Sequence, residues 1–426
     1  MIWEIELLYF VAMIATFIIL LLVVKMPSGI AMMASALVGL ALSAIFSDTE
    51  FSLRFLVEGG FGYFDTILVI TMAMIFMGAL QATGALDYFC AVLVKAFYKF
   101  PTILLIFFMF IIMFPAMITG SSLSSVISTG AIVAPIMIKM GIPKAKVGAI
   151  VAFGAIFGMI APPVNIPVMA ICEVVDIPFT GFTLPLLLLT LPLAIFTVLF
   201  LGRKHVKKID LDQLSEVMDL DITKRMSWLV SLPLILLVVL ILLSNIIPSV
   251  FGSWGMTLIF FLSTVPAFFV GKKTNPVKVF NEGVKKSFSA MALLLGVGMF
   301  VEVLTLSGAR GFFVINAISL PKVLKYVAIA VSMPIFGGIS AFGSASILGG
   351  PFVMAFLENS QIIMASALSL VAALGEFLPP TAMSATFATE VVGEDKYFKI
   401  TKAALIPLIV TLVYAMVFII FVSRVW

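Results

Sequence analysis

The chain has 426 residues, of which 63% are hydrophobic and 11% charged, and its formal net charge is +4. No water-exposed fold hides that much apolar surface, so a soluble globular protein is excluded and an all-α polytopic membrane protein is expected. The small positive excess reflects topology rather than nucleic-acid binding; Cys90 and Cys172 lack partner spacing for a metal or disulfide framework, and the single histidine, His205, lies in a charged linker where solvation is expected.

Glu4 and Glu6 stand where a signal peptide needs basic residues, so the apolar run at 7 to 24 reads as a first spanning helix ending at Lys25. A second helix is expected at 28 to 46, before Asp48 and Glu50, and a third at 63 to 84. Asp87 to Lys99 is amphipathic, with Lys95 and Lys99 on its polar side, and suits a helix lying along the interface. Residues 101 to 139 hold two apolar stretches around the Gly-Ser-rich run at 120 to 130, flanked by Lys95 and Lys99 before and Lys139, Lys144 and Lys146 after. Short cytoplasmic loops collect Lys and Arg, so both ends of this segment belong on one side. It is either a re-entrant hairpin tipped by Gly120 to Ser124 or two crossings joined by a short turn. Residues 146 to 173 then cross outward to Glu173 and Asp176, and 180 to 201 return to Arg203, Lys204, Lys207 and Lys208.

Residues 202 to 226 mix these basic groups with Asp210, Asp212, Glu216, Asp219 and Asp221 and read as a cytoplasmic linker between two halves, 1–201 and 227–426. The second half is expected to hold spans at 227 to 247 and 253 to 271, basic Lys272, Lys273 and Lys278, and an amphipathic stretch to Lys286. A span at 287 to 306, a hairpin at 323 to 357 tipped by Phe342 to Ser346, a broken helix at 361 to 391 and a closing span at 401 to 424 follow. The halves start on opposite sides, which makes them inverted repeats, the architecture of secondary transporters with a site near the midplane. Trp3, Trp228, Trp254 and Trp426 fall at expected span ends, as an aromatic belt requires. Lys322 and Lys325 fall on the outer side, against the basic-loop rule.

The chemistry concentrates at two proline pairs. Gly158-Met159-Ile160-Ala161-Pro162-Pro163-Val164-Asn165 and Gly375-Glu376-Phe377-Leu378-Pro379-Pro380-Thr381-Ala382 share one Gly-x-x-x-Pro-Pro frame. A proline pair removes amide donors and clashes with the preceding turn, so each helix must unwind, and unwound backbone at membrane depth is tolerated where it lines a polar site. A dehydrated Na⁺ needs about five or six oxygens, which neutral hydroxyls and carbonyls supply. Ser121, Ser122 and Asn165 form one expected cluster; Gly343, Ser344, Ser346, Thr381 and Ser384 form its counterpart. The plainer reading is that small residues let helices approach and prolines only kink; tip and break recurring in one order favours the sites.

The half-helix starts after Pro163 and Pro380 would attract a carboxylate, which makes Gly120, Ser124, Pro163, Val164, Pro380 and Thr381 the expected substrate contacts. Glu376, Glu302 and Asp65 are carboxylates within or just inside spans and are candidates for coupling, with an N-cap role as the alternative for Asp65. Arg310 falls at a span end and reads as interfacial.

Ile118-Thr119-Gly120-Ser121-Ser122, the Gly158 to Pro167 break, Met26-Pro27-Ser28-Gly29-Ile30-Ala31 and the Gly375 to Pro380 break together resemble the large membrane (permease) subunit of the tripartite ATP-independent periplasmic (TRAP) transporters, in the ion transporter superfamily. The resemblance covers nearly the whole chain. It implies an elevator mechanism coupled to Na⁺, location in the cell inner membrane, a small four-helix membrane subunit, and an extracytoplasmic solute-binding protein that delivers an organic acid of dicarboxylate or sugar-acid type. The chain departs from the family pattern at Gly337 to Ser344, where an aspartate-containing stretch is usual, at Thr381-Ala382, where glycine usually follows the prolines, and in carrying Glu376. A stand-alone Na⁺- or H⁺-coupled organic-anion carrier using Glu376 is the alternative. A passive channel has no need of two matched broken helices, and an intramembrane protease has no histidine near its serines.

Overall fold

In hydrocarbon every backbone amide must find its partner within the chain, so apolar runs rich in Leu, Ile, Val and Phe have one outcome, the helix. The computed structural model describes residues 2–46, 51–207, 214–216, 218–247, 254–356 and 358–425, with residues 2–4 and Asn245 described by backbone alone. Asp48, Glu50, Lys208, Asp210, Asp212 and Trp426 lie outside the described residues, as do the side chains of Trp3 and Glu4. Within the described residues there is no strand, and eight helical segments are long and apolar enough to cross a membrane.

The first half comprises α1 (Ile2–Leu22), α2 (Ser28–Phe46), α3 (Arg54–Gly62), α4 (Phe64–Thr83) and α5 (Ala85–Phe97). A first hairpin follows, made of α6 (Pro101–Thr119), α7 (Ser122–Ser125), a π-helical turn at Val126–Gly130, and α8 (Ala131–Lys139). Then come α9 (Lys144–Ile160), α10 (Ile166–Val175) and α11 (Thr183–Gly202). After the one-turn α12 (Ile222–Arg225), the second half runs through α13 (Leu232–Ile246), α14 (Gly255–Thr264), α15 (Pro276–Leu306) and α16 (Ala309–Ser319). Its hairpin is α17 (Lys322–Gly337), α18 (Ala341–Ser344), a π-helical turn at Ala345–Gly349, and α19 (Gly350–Met354). The chain ends with α20 (Gln361–Ala373), α21 (Met383–Val392), α22 (Tyr397–Val417) and α23 (Ser423–Val425).

Several elements differ from the sequence expectation. The amphipathic stretch and span expected on either side of 287 are one helix, α15, because Asn275 caps Val277 and Pro276 fills the first position, so the helix starts at the charged segment and runs on. Helices α3 and α16 were not expected; each is too short and too polar to register as a span. The second hairpin reverses at Gly338 to Ser340, not at Phe342 to Ser346: the Ser340 hydroxyl accepts the Gly343 N–H at 3.0 Å, so 342 to 346 are already helical. Asp65 sits exposed in the first turn of α4 without a capping bond. His205 is not simply solvated, since its Nε2 lies 2.8 Å from Lys146 Nζ.

The helices pack in two groups. Helix α15 touches α2, α3 and α4, α14 joins α4 and α13, and α1 packs on α2. Close approach is possible there because glycine meets glycine: a Cβ on Gly298 would stand 2.1 Å from the Gly59 carbonyl oxygen. The second group gathers both hairpins, α9, α10, α11 and α20 to α22, while α5 and α16 bridge to the first.

Candidate functional site

Each proline pair interrupts a helix that is otherwise regular. Helix α9 stops at Ile160, Ala161 turns extended, and α10 restarts with Asn165 as N-cap, its side chain accepting the Val168 N–H at 2.9 Å. Helix α20 tightens into a 3₁₀ turn at Leu374–Phe377, Leu378 turns extended, and α21 restarts after Ala382 without a side-chain cap. The Pro162–Pro163 and Pro379–Pro380 peptide bonds are both cis. The breaks differ in setting: Pro162 is buried and Pro163 half-buried, whereas Pro379 and Pro380 are exposed.

Both hairpins bond to the breaks. The residue after the first pair, Val164, donates its N–H to the Met117 carbonyl at 3.1 Å. Its counterpart, Thr381, donates both its N–H, at 3.1 Å, and its hydroxyl, at 2.8 Å, to the Gly338 carbonyl. Gly120, with φ +63°, lets the first tip lie against the break, since a Cβ there would meet Ile166 at 2.5 Å. The halves then interlock, because α10 packs on the second hairpin and α21 packs on the first. Asn165 Nδ2 completes the link by donating to the Ile160 carbonyl at 2.8 Å and to Ser369 Oγ on α20 at 3.3 Å.

The residues expected at the site do not all converge. Glu376 is buried at 4% exposure, Ser384 donates its hydroxyl to it, and Ser122 on the first hairpin lies beside the same carboxylate. Ser122, Glu376 and Ser384 therefore form one group drawn from both halves. Ser344 instead donates to the Met333 carbonyl at 2.8 Å and Ser346 to the Phe342 carbonyl at 2.7 Å, so both hydroxyls are tied within the second hairpin. Gly343 faces Met32 of α2. Glu302, on α15, lies beside Gly59 and near Arg310, and Asp65 is exposed.

Residues that sequence reasoning missed include Ser369, Gly338, Ser340 and Ser125. The Ser125 hydroxyl sits inside the α6 backbone ladder, accepting the Ala116 N–H at 3.2 Å and donating to the Ile112 carbonyl. Only Ser366 and Ser369, three residues apart in an apolar helix, gave a usable signal.

A cavity of about 470 Å³ opens beside the first hairpin, lined by Ser121, Ser124 and Ser128 together with Gln81, Asp87 and Lys286. Lys286 Nζ donates to Gln81 Oε1 at 3.2 Å. Burial pushes the Asp87 carboxyl above its usual range, while Lys272 acts in the opposite sense. Among the described residues no three or more His, Cys, Asp and Glu cluster, and Glu376 is the single buried acid.

None of the curated proteins compared matches the chain. The family model described as "Tripartite ATP-independent periplasmic transporter, DctM component" matches residues 14–425. Members of that family work with a small membrane subunit and a solute-binding protein. The chain belongs to this family, as the large inner-membrane subunit of a secondary transporter and not an enzyme.

Proposed function

We propose that this subunit imports a small organic acid together with Na⁺, by an elevator motion of the hairpins and broken helices against the other helices. The carrying observation is the interlock, in which each break bonds to its own hairpin and packs beneath the other. Such a unit moves as one body. The proposal includes two inverted repeats, 1–201 and 227–426, joined by the linker 202–226. In support, the first hairpin ends at the linker through the Lys139–Glu216 ion pair and the Met140 carbonyl to Lys207 bond. The second hairpin ends instead beside Arg424, at the far end of the last helix.

Na⁺ fits the donor set of Ser122, Ser384 and Glu376 with nearby carbonyls, and when bound it supplies positive charge that offsets the substrate carboxylate. Helix α21 leaves its first amides without a side-chain cap beside the exposed proline pair, which suits the carboxylate end of the substrate. The first break is less suited, because Asn165 already takes the Val168 amide. The serines and Lys286 of the 470 Å³ cavity suit an acid that also carries hydroxyls.

A second reading rests on Glu376, a buried carboxylate that takes the Ser384 hydroxyl and lies beside Ser122: proton coupling in place of Na⁺. One experiment separates them. With the complete system in proteoliposomes, uptake driven by a Na⁺ gradient at equal pH, with Ser122→Ala raising the half-saturating Na⁺ concentration, supports the first. Uptake driven by a pH gradient without Na⁺ supports the second.

A further inference from the structure

The base of the second hairpin holds a cavity of about 520 Å³ that the transport reading does not use, lined by Lys322, Lys325, Tyr326, Glu358, Asn359 and Arg424 among others. Its deepest cation, Lys325, is 8% exposed. Lys325 Nζ donates to the Ala355 carbonyl at 3.2 Å and lies 5.3 Å from the centre of the Phe356 ring, and no carboxylate pairs with it among the described residues. Arg424 donates to the Tyr326 hydroxyl at 2.8 Å, which leaves that O–H free to donate onward. Lys322 reaches Glu358 only at 4.0 Å, so the lining carries three cations against one acid.

Two apolar stripes lead away from this cavity. Val323, Val327, Val331 and Ile335 are exposed at four-residue spacing along α17, and Val413, Val417, Phe421 and Val425 are exposed at the same spacing from α22 to α23. The two helices touch. Such stripes face acyl chains, and a basic pocket at their end stands at headgroup depth. We infer that this cavity binds the phosphate of an anionic phospholipid, with the acyl chains lying along α17 and α22. The site accounts for two lysines on the side where basic residues are disfavoured. A docked acidic protein suits the cavity less well, because the buried ammonium lies at the bottom of a concavity that a flat surface does not reach.

The test uses the full chain in nanodiscs of phosphatidylcholine with and without phosphatidylglycerol, with bound lipid read by native mass spectrometry. The wild type is expected to retain phosphatidylglycerol selectively. Lys322→Gln with Arg424→Gln, both exposed positions, should weaken retention about 30-fold for two basic residues lost. Lys325→Met, which keeps the buried stem, should also lose the lipid, with thermal unfolding in phosphatidylcholine reporting that each variant folds. Equal retention by wild type and double variant overturns the inference. So does stabilisation by inorganic phosphate with no response to phosphatidylglycerol, which marks a free-anion site, or lost capture of the binding protein with lipid retention unchanged.

Discussion

At the residue scale the proposed coupling turns on Glu376, whose carboxylate takes the Ser384 hydroxyl of its own half and lies beside Ser122 of the other. Glu376→Gln keeps the shape and removes the charge. Under Na⁺ coupling it is expected to raise the half-saturating Na⁺ concentration about tenfold, by the loss of one charge-assisted contact worth about 1.5 kcal/mol. An unchanged Na⁺ titration would remove Glu376 from the coupling site. Ala382 is the other informative position: its φ of +41° lies where glycine is favoured. Ala382→Gly is expected to raise stability by about 1 kcal/mol, the left-handed strain relieved less the added chain entropy. A fall in melting temperature would contradict that account. Glu376 and Ser384 are legible in the sequence because they flank a proline pair. The Asn165 to Ser369 contact is not, since it spans 204 residues and only the packed halves create it.

At the element scale, spans declare themselves because a bilayer demands about 20 apolar residues, and α2 and α6 match expectation to the residue. The second tip was misplaced because Gly343 and Ser344 carry turn-type residues for another purpose, close packing beside Met32 and a bond to Met333. The true crossing is set by Gly337 and Gly375, whose backbones touch: a Cβ on Gly337 would stand 2.1 Å from the Ala372 carbonyl oxygen. Gly337→Ala should therefore destabilise by about 1–3 kcal/mol as the hairpin is pushed from the break. Thermal unfolding in detergent measures this, and a neutral result would mean the hairpin yields freely. The first hairpin shows a different device, a serine hydroxyl bridging a backbone pair in the opposite arm, which no sequence period announces.

At the scale of the whole molecule, composition alone made the membrane class legible, and the recurring tip and break suggested two related halves. The division of helices into two packed groups was not legible, because it depends on which glycine faces which. Two side chains of the first group and its bridging helix hold the end of α10: Tyr63 donates to the Ala170 carbonyl at 3.2 Å, and Arg310 donates to the Val174 carbonyl. Arg310 is thus tied to α10 and is not a free interfacial group. Under the proposed sliding, Arg310→Gln should weaken this posture and shift the population of states, read as a change in labelling rate of a cysteine placed on α10. An unaltered rate would assign Arg310 a purely static role.

Those two grips on α10 also separate pace from cargo. Under the proposed sliding both would let go and catch again in every cycle, yet neither belongs to the Ser122, Glu376 and Ser384 group. Mutational drift at positions 63 and 310 can therefore retune how fast the carrier works while leaving what it carries untouched.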